Sequence, residues 1–208
     1  MSLENKRILI TAGPTWVPID AVRVISNTAT GETGILLADK LQRLGARVTL
    51  LLGPVAACCL DRRIRLVRFK FFDELKSALL KELASHKYDA VIHAAAVSDY
   101  MPEGAFRKKI GSDKKRLDLK LWPTPKLIDA IKKISRGIYL VGFKFEPNTA
   151  RGILVKKTRD MMKRAGADLA VANTVCGNRY QAYIVSKDTV EGPIKDKKGL
   201  TERLVKRL

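Results

Sequence analysis

Short, continuously apolar runs alternate along this chain with segments whose apolar positions recur every three to four residues. Arg7–Thr11 (RILIT), Arg47–Leu52 (RVTLLL), Ile64–Phe69, Ala90–Ala94 (AVIHA), Ile138–Phe143 (IYLVGF) and Leu169–Ala172 have strand length and branched side chains. Most lack the polar alternation of a half-exposed strand, which predicts burial on both faces. Between them, Gly34–Leu44 (GILLADKLQRL) places Ile35, Leu36, Ala38, Leu41 and Leu44 near helical spacing, with Gly45 as a stop. Phe72–Leu83 predicts an amphipathic helix rich in strong helix formers, Pro125–Ile134 a helix with proline in its first turn, and Leu154–Arg164 a basic helix. Ala182–Ser186 reads as a late strand and Leu200–Arg207 as a closing helix.

Strands alternating with helices predict an α/β fold, because parallel neighbours need a crossover long enough to return. The expected architecture is a Rossmann-like three-layer sandwich with a mostly parallel sheet, its first five strands in the order 3-2-1-4-5. No internal repeat or domain boundary interrupts residues 1–208, which read as a single unit. Ser98–Arg116 is polar, basic and too long for an ordinary connection. Leu117–Leu121 (LDLKL) alternates like a half-exposed strand, so residues 98–122 are expected to form a flap rather than a domain.

Charge narrows the partners. Lys and Arg number 40 against 21 acidic residues, a formal charge of +19. Either this is a solvated basic surface, or it serves a phosphate-rich partner, nucleic acid or a small phosphorylated substrate. Cys58, Cys59 and Cys176 are odd in number, two are adjacent, and no CxxC spacing occurs, so no disulfide framework is expected. His86 and His93 are too isolated for a metal centre, and no metal ligand is assigned. The apolar stretch near Leu50–Leu60 is broken by Gly53-Pro54 and too short to span a bilayer, and the polar N-terminus has no signal core. A cytoplasmic protein without membrane contact is expected.

Several clusters could carry chemistry. The first strand runs into Ala12-Gly13-Pro14-Thr15, at the carboxyl end where open α/β sheets bind ligands; a tight exit turn explains it equally well. Ser26–Gly34 (SNTATGETG) is rich in hydroxyls and glycine and leads into a helix, whose N–H groups and dipole favour phosphate. It also reads as a capped helix start with Thr30 or Thr28 as N-cap. It is neither a GxGxxG loop nor a P-loop with its lysine. Arg23 precedes Asn27 by four residues; a guanidinium fork and an amide donor suit an oxyanion, and both are common on surfaces. Ala94–Tyr100 (AAAVSDY) ends the fourth strand with small residues on which a flat ring could lie, and with Asp99 as an acceptor for a sugar or base, or as a turn cap. The flap carries Arg107-Lys108-Lys109-Ile110-Gly111 and Lys114-Lys115-Arg116, a solvated face or, at one lysine, a phosphate contact.

In order, "ILITAGPTWVPIDAVRVISNTATGETG", "AAAVSDY", the basic "KKIGS", "VGF" and "DLAVAN" resemble phosphopantothenoylcysteine synthetases from Ile8 to about Asn173. The resemblance implies that the carboxylate of 4′-phosphopantothenate attacks the α-phosphate of CTP and releases pyrophosphate. The cysteine amine then displaces CMP from the acyl-cytidylate. Magnesium accompanies the triphosphate; ATP replaces CTP in some members, and the family forms homodimers with sites near the interface, which makes the flap a dimerisation element as well. By position, Asn27 matches the residue that holds the acyl intermediate, Arg23 the arginine of the cysteine step, and Lys109 the flap lysine on the phosphates. Gly13 and Thr15 match the first loop, Ala95, Ala96 and Asp99 the base-side residues, and Phe143 the aromatic that packs on the nucleotide. Two places depart from the family. Ala29-Thr30-Gly31 stands where Ser-Ser-Gly is usual, leaving Thr30 and Gly31 as phosphate contacts. Ala165 stands where a lysine often ends the helix before "DLAVAN", with Lys163 and Arg164 as its nearest substitutes. The chain opens at the first synthetase strand, so neither a preceding decarboxylase domain nor flavin is expected. Two other classes fit the residues less well: a basic nucleic-acid-binding module, for which the chain lacks aromatic interleaving and helix-turn-helix or zinc spacing, and a nicotinamide-dependent reductase, for which it lacks GxGxxG.

Overall fold

The computed structural model describes residues 3–56, 60–104, 108–111, 113 and 115–208. Cys58, Cys59, Arg107 and Lys114 lie outside the described residues. The chain starts with β1 (Arg7–Ala12), a hairpin of β2 (Trp16–Pro18) and β3 (Val24–Ser26), then α1 (Glu32–Arg43), β4 (Arg47–Leu52) and β5 (Arg65–Arg68). Next come α2 (Phe72–Ser85), β6 (Ala90–His93), a ribbon of β7 (Tyr100–Pro102) and β8 (Leu121–Pro123), α3 (Ile128–Ile134) and β9 (Tyr139–Phe145). It closes with α4 (Arg151–Ala165), β10 (Leu169–Cys176), β11 (Arg179–Val185), β12 (Val190–Ile194) and α5 (Lys197–Leu204).

Among the described residues one eight-stranded sheet runs β5-β4-β1-β6-β9-β10-β11-β12. It is parallel from β5 to β10 and antiparallel from β10 to β12. The first five strands therefore stand in the expected 3-2-1-4-5 order. Alternate residues serve opposite layers: Ile8, Ile10 and Ala12 join α1 and α5 in one core, while Leu9 joins α2, α3 and α4 in the other. Both sheet faces are covered, hence the unbroken apolar runs. The strand order reverses between β1 and β6, so the crevice of the sheet opens at their carboxyl ends.

Three local expectations are corrected. Residues 117–120 are not a strand; the ribbon strand starts at Leu121 and pairs with β7. The α1 helix is capped by Gly31 rather than Thr28 or Thr30. The last helix starts at Lys197 because Asp196 Oδ1 accepts the Gly199 N–H at 2.7 Å, an N-cap the apolar pattern does not announce. β12, for which the sequence reading has no counterpart, contains Gly192-Pro193, a pair tolerated on this edge strand.

Candidate functional site

The crevice is floored by glycine. Past Ala12 the chain turns at Gly13, φ 79°, and α1 begins after Gly31, φ 72°, both in the left-handed region that favours glycine. A Cβ on Gly31 would stand 3.3 Å from Gly13 Cα, and one on Gly13 3.2 Å from Gly53 N. The ends of β1 and β4 and the start of α1 thus converge closely, with Val55 against both glycines. One turn into the helix, a Cβ on Gly34 would come within 2.4 Å of Ala12 Cβ, so α1 lies directly on the end of β1.

Beside this floor opens a cavity of about 530 Å³ lined by Pro14, Trp16, Asn27, Thr30, Pro54 and Val55, among others. Its size suits a small ligand. Thr30 Oγ1 accepts the Glu32 N–H at 3.4 Å, and the start of α1 offers backbone N–H groups to an anion. Asn27, exposed, donates its amide to Ala96 O at 2.9 Å, which fixes it between the phosphate-type loop and the β6 rim.

The two rim loops are tied to each other. Ala96 N–H donates to Gly13 O at 2.9 Å, and Thr15 N–H to Ala96 O at 3.3 Å. The Thr15 side chain is fully buried; its Oγ1 accepts the Ser98 N–H at 2.9 Å and donates to Ser98 Oγ at 3.0 Å. Thr15 therefore holds the rim together and does not face the cavity. Ala95 N–H donates to Thr11 Oγ1 at 3.3 Å, and that hydroxyl lies 2.9 Å from His93 Nδ1. Burial pushes the His93 imidazole down to about 4, so this ring is neutral near pH 7.

Gly13, Thr15, Asn27, Thr30, Gly31, Ala95 and Ala96 thus gather at one rim. Phe143 lies on β9 and packs on the α1 side of the sheet. Asp99 is exposed and closely paired with Lys126. Lys109 is exposed, with no ion pair among the described residues, whereas its neighbour Ile110 is bound to the hairpin. Arg23 reaches that same point: its Nη1 donates to Asp20 Oδ2 at 2.9 Å and to Ile110 O at 3.2 Å. Lys163 and Arg164 are not brought to the crevice. They end α4, on the opposite face of the sheet and next to the start of β10, and Arg164 pairs with Asp129 at 3.0 Å. Nearness in sequence to "DLAVAN" put them beside the entry of β10 rather than its exit.

Sequence reasoning missed Asp20, Ser98 and the Thr11–His93 pair. Only Asp20 carried a local signal, an aspartate two residues before an N–H it could accept. The others come together only through the sheet.

Comparison with known proteins adds family context. Residues 3–208 match the model of the DNA/pantothenate metabolism flavoprotein C-terminal domain. The coenzyme A biosynthesis bifunctional protein CoaBC of Thermococcus kodakarensis is 37% identical over 208 residues, covering 98% of this chain and 51% of that protein. The chain spans about half the length of the curated CoaBC relatives it matches, 51% and 52% in two of them. The DNA/pantothenate metabolism flavoprotein of Streptococcus pneumoniae superposes with a TM-score of 0.87 at 25% identity, over 97% of both chains. A mutant of Cab2 in complex with phosphopantothenate-cysteine shares the fold, with a TM-score of 0.81 at 19% identity, over 98% of this chain and 86% of that one.

Proposed function

The chain belongs to the DNA/pantothenate metabolism flavoprotein C-terminal domain family, and from that membership we propose that it is a phosphopantothenate–cysteine ligase of coenzyme A biosynthesis. One observation carries the reading: the glycine-floored cavity beside the start of α1, with Asn27 on its wall. It offers phosphate-binding N–H groups and an amide donor side by side. Phosphopantothenate-cysteine, the compound in the Cab2 complex, is what this reaction would yield.

The proposed sequence is the one the family resemblance implies. A carboxylate oxygen of 4′-phosphopantothenate bonds to the α-phosphorus of CTP, and the bond to the β-phosphate oxygen breaks, releasing pyrophosphate. The cysteine amine then attacks the acyl carbon, losing a proton, and CMP leaves with the former carboxylate oxygen. A carboxylate becomes an acyl donor only once that oxygen belongs to a good leaving group. Thr30 and the N–H groups at the start of α1 would hold phosphates, Asn27 the acyl intermediate, and Ala95, Ala96 and Phe143 the base. Lys109 would meet the charge that builds during the first step, and Arg23 would serve the second. Among the described residues no three His, Cys, Asp or Glu side chains converge to hold a metal. Magnesium would accompany the triphosphate, as the family resemblance implies.

The proposal extends to a homodimer. Val22 and Val24 on the β2–β3 hairpin and Tyr100, Leu121 and Trp122 on the β7–β8 ribbon are large apolar residues left exposed, Val22 by 64% and Trp122 by 56%. The two ribbons meet at β2 and β7, so these exposed apolar residues are offered as the proposed interface. Among the described residues no helix is long and apolar enough to cross a membrane, and a cytoplasmic location is part of the proposal.

Mixing CTP with 4′-phosphopantothenate should release pyrophosphate without cysteine, while CMP should appear only once cysteine is added. ATP run in parallel establishes the nucleotide. Silence with both nucleotides removes the proposal.

A further inference from the structure

Asp20 lies between β2 and β3 with its side chain fully buried, 0% exposed. Its Oδ1 accepts the N–H groups of Val22 at 2.9 Å and Arg23 at 2.8 Å. Its Oδ2 accepts Arg23 Nη1 at 2.9 Å and the Ile110 N–H at 3.0 Å. Arg23 Nη1 closes the ring by donating to Ile110 O at 3.2 Å. Both backbone polar groups of Ile110 are therefore held, one by each member of an ion pair, across a separation of 90 residues for Asp20. The Ile110 side chain is buried as well, 7% exposed. All the acceptor capacity of the carboxylate is engaged within the protein, so Asp20 does not touch substrate. Whatever it does for the reaction passes through the residues it holds. The residue before Ile110 is Lys109, whose own side chain is unanchored among the described residues.

We propose that Asp20 is a positioning residue: its carboxylate fastens the flap segment to the β2–β3 hairpin at Ile110 and so sets where Lys109 stands during nucleotidyl transfer. This rests on the ligase reading above. A backbone clamp suits the task, because a lysine on a four-carbon stem meets a developing charge reproducibly only if its Cα is fixed. The N–H of Val22, above all, holds the Asp20 carboxyl below the ordinary carboxylate range, so the clamp stays charged at neutral pH. Asn at this position keeps a single acceptor oxygen, sets an NH₂ group against two of the four donors whichever way it faces, and removes the charge that pairs with Arg23, loosening the clamp at nearly constant volume.

The test pairs amide exchange with a double-mutant cycle. In Asp20→Asn, exchange of the Ile110 amide should quicken at least ten-fold while Leu9 and Ile10 in β1 keep their protection, and pyrophosphate release should slow at least ten-fold. In a Lys109→Gln background the further loss from Asp20→Asn should stay under two-fold, because the lysine it positions is gone. A fold defect would multiply through both backgrounds. Ile110→Pro deletes the clamped N–H and leaves Asp20 in place; it should reproduce the kinetic loss and decides the matter should Asp20→Asn unfold. Unchanged exchange at Ile110, unchanged pyrophosphate release in an unfastened variant, or multiplicative losses in the cycle each overturn the proposal. Fast exchange in Asp20→Asn beside a wild-type protein that releases no pyrophosphate would leave the clamp standing and sink the ligase role it serves.

Discussion

Asn27 and His93 stand on the same rim and do opposite kinds of work. Asn27 is exposed and holds one neutral hydrogen bond, to Ala96 O at 2.9 Å, whose net worth is about 1 kcal/mol. Asn27→Asp replaces its donor with a negative charge beside the proposed carboxylate and phosphates. Turnover should fall roughly 100-fold or more, while the urea midpoint of unfolding shifts by no more than the loss of one such bond; steady-state kinetics beside a denaturation curve checks both halves. His93 is buried, and burial holds its folded pKa at about 4 against the ordinary 6.5. The unfolded chain therefore binds more protons between those values, and stability is lost as pH falls through that window. Between pH 7 and 5 the loss should be about 2 kcal/mol, and His93→Gln should abolish it; urea titrations at the two pH values decide this. Asn27 was legible as a residue type in a suggestive loop. His93 was visible only as an isolated histidine, because its partner Thr11 is 82 positions away and meets it only through the parallel pairing of β1 and β6.

The long elements were legible because burial on both faces writes an unbroken apolar run, as in Arg47–Leu52, and a helix between two such runs has to cover the sheet. The ribbons were not. Trp16–Pro18, Val24–Ser26 and Tyr100–Pro102 are three residues each, too short to show a period, and two of them end in proline. Gly34 shows how an element can contradict its own propensity. Inside a helix, Gly→Ala ordinarily gains about 1 kcal/mol. Here the new methyl would stand 2.4 Å from Ala12 Cβ, an atom held by a central strand that cannot rotate away. Overpacking of this kind costs about 1–3 kcal/mol and should outweigh the gain. Gly34→Ala should therefore lower the melting temperature and, because α1 must shift from the floor of the cavity, weaken nucleotide binding; calorimetry with and without CTP separates the two effects.

For the whole molecule, the strand order could be read from the alternation of runs and helices, and with it the position of the crevice where the order reverses. The clamp between Asp20 and Ile110 could not, since it joins two loops that only the finished fold brings together. The surface of the β2–β3 and β7–β8 ribbons belongs to this scale too. If it buries a second copy, sedimentation should give a dimer, and Val22→Lys combined with Trp122→Lys should yield a folded monomer; a wild-type monomer at tens of micromolar would refute the interface. The +19 charge is consistent with three phosphate-bearing or carboxylate partners without requiring nucleic acid. The central claim is that the crevice brings a carboxylate against the α-phosphate of a nucleotide, and isotope transfer reads it most directly. Turnover of 4′-phosphopantothenate labelled with oxygen-18 in its carboxylate should deliver one labelled oxygen to the nucleoside monophosphate and none to pyrophosphate; an unlabelled monophosphate would contradict it.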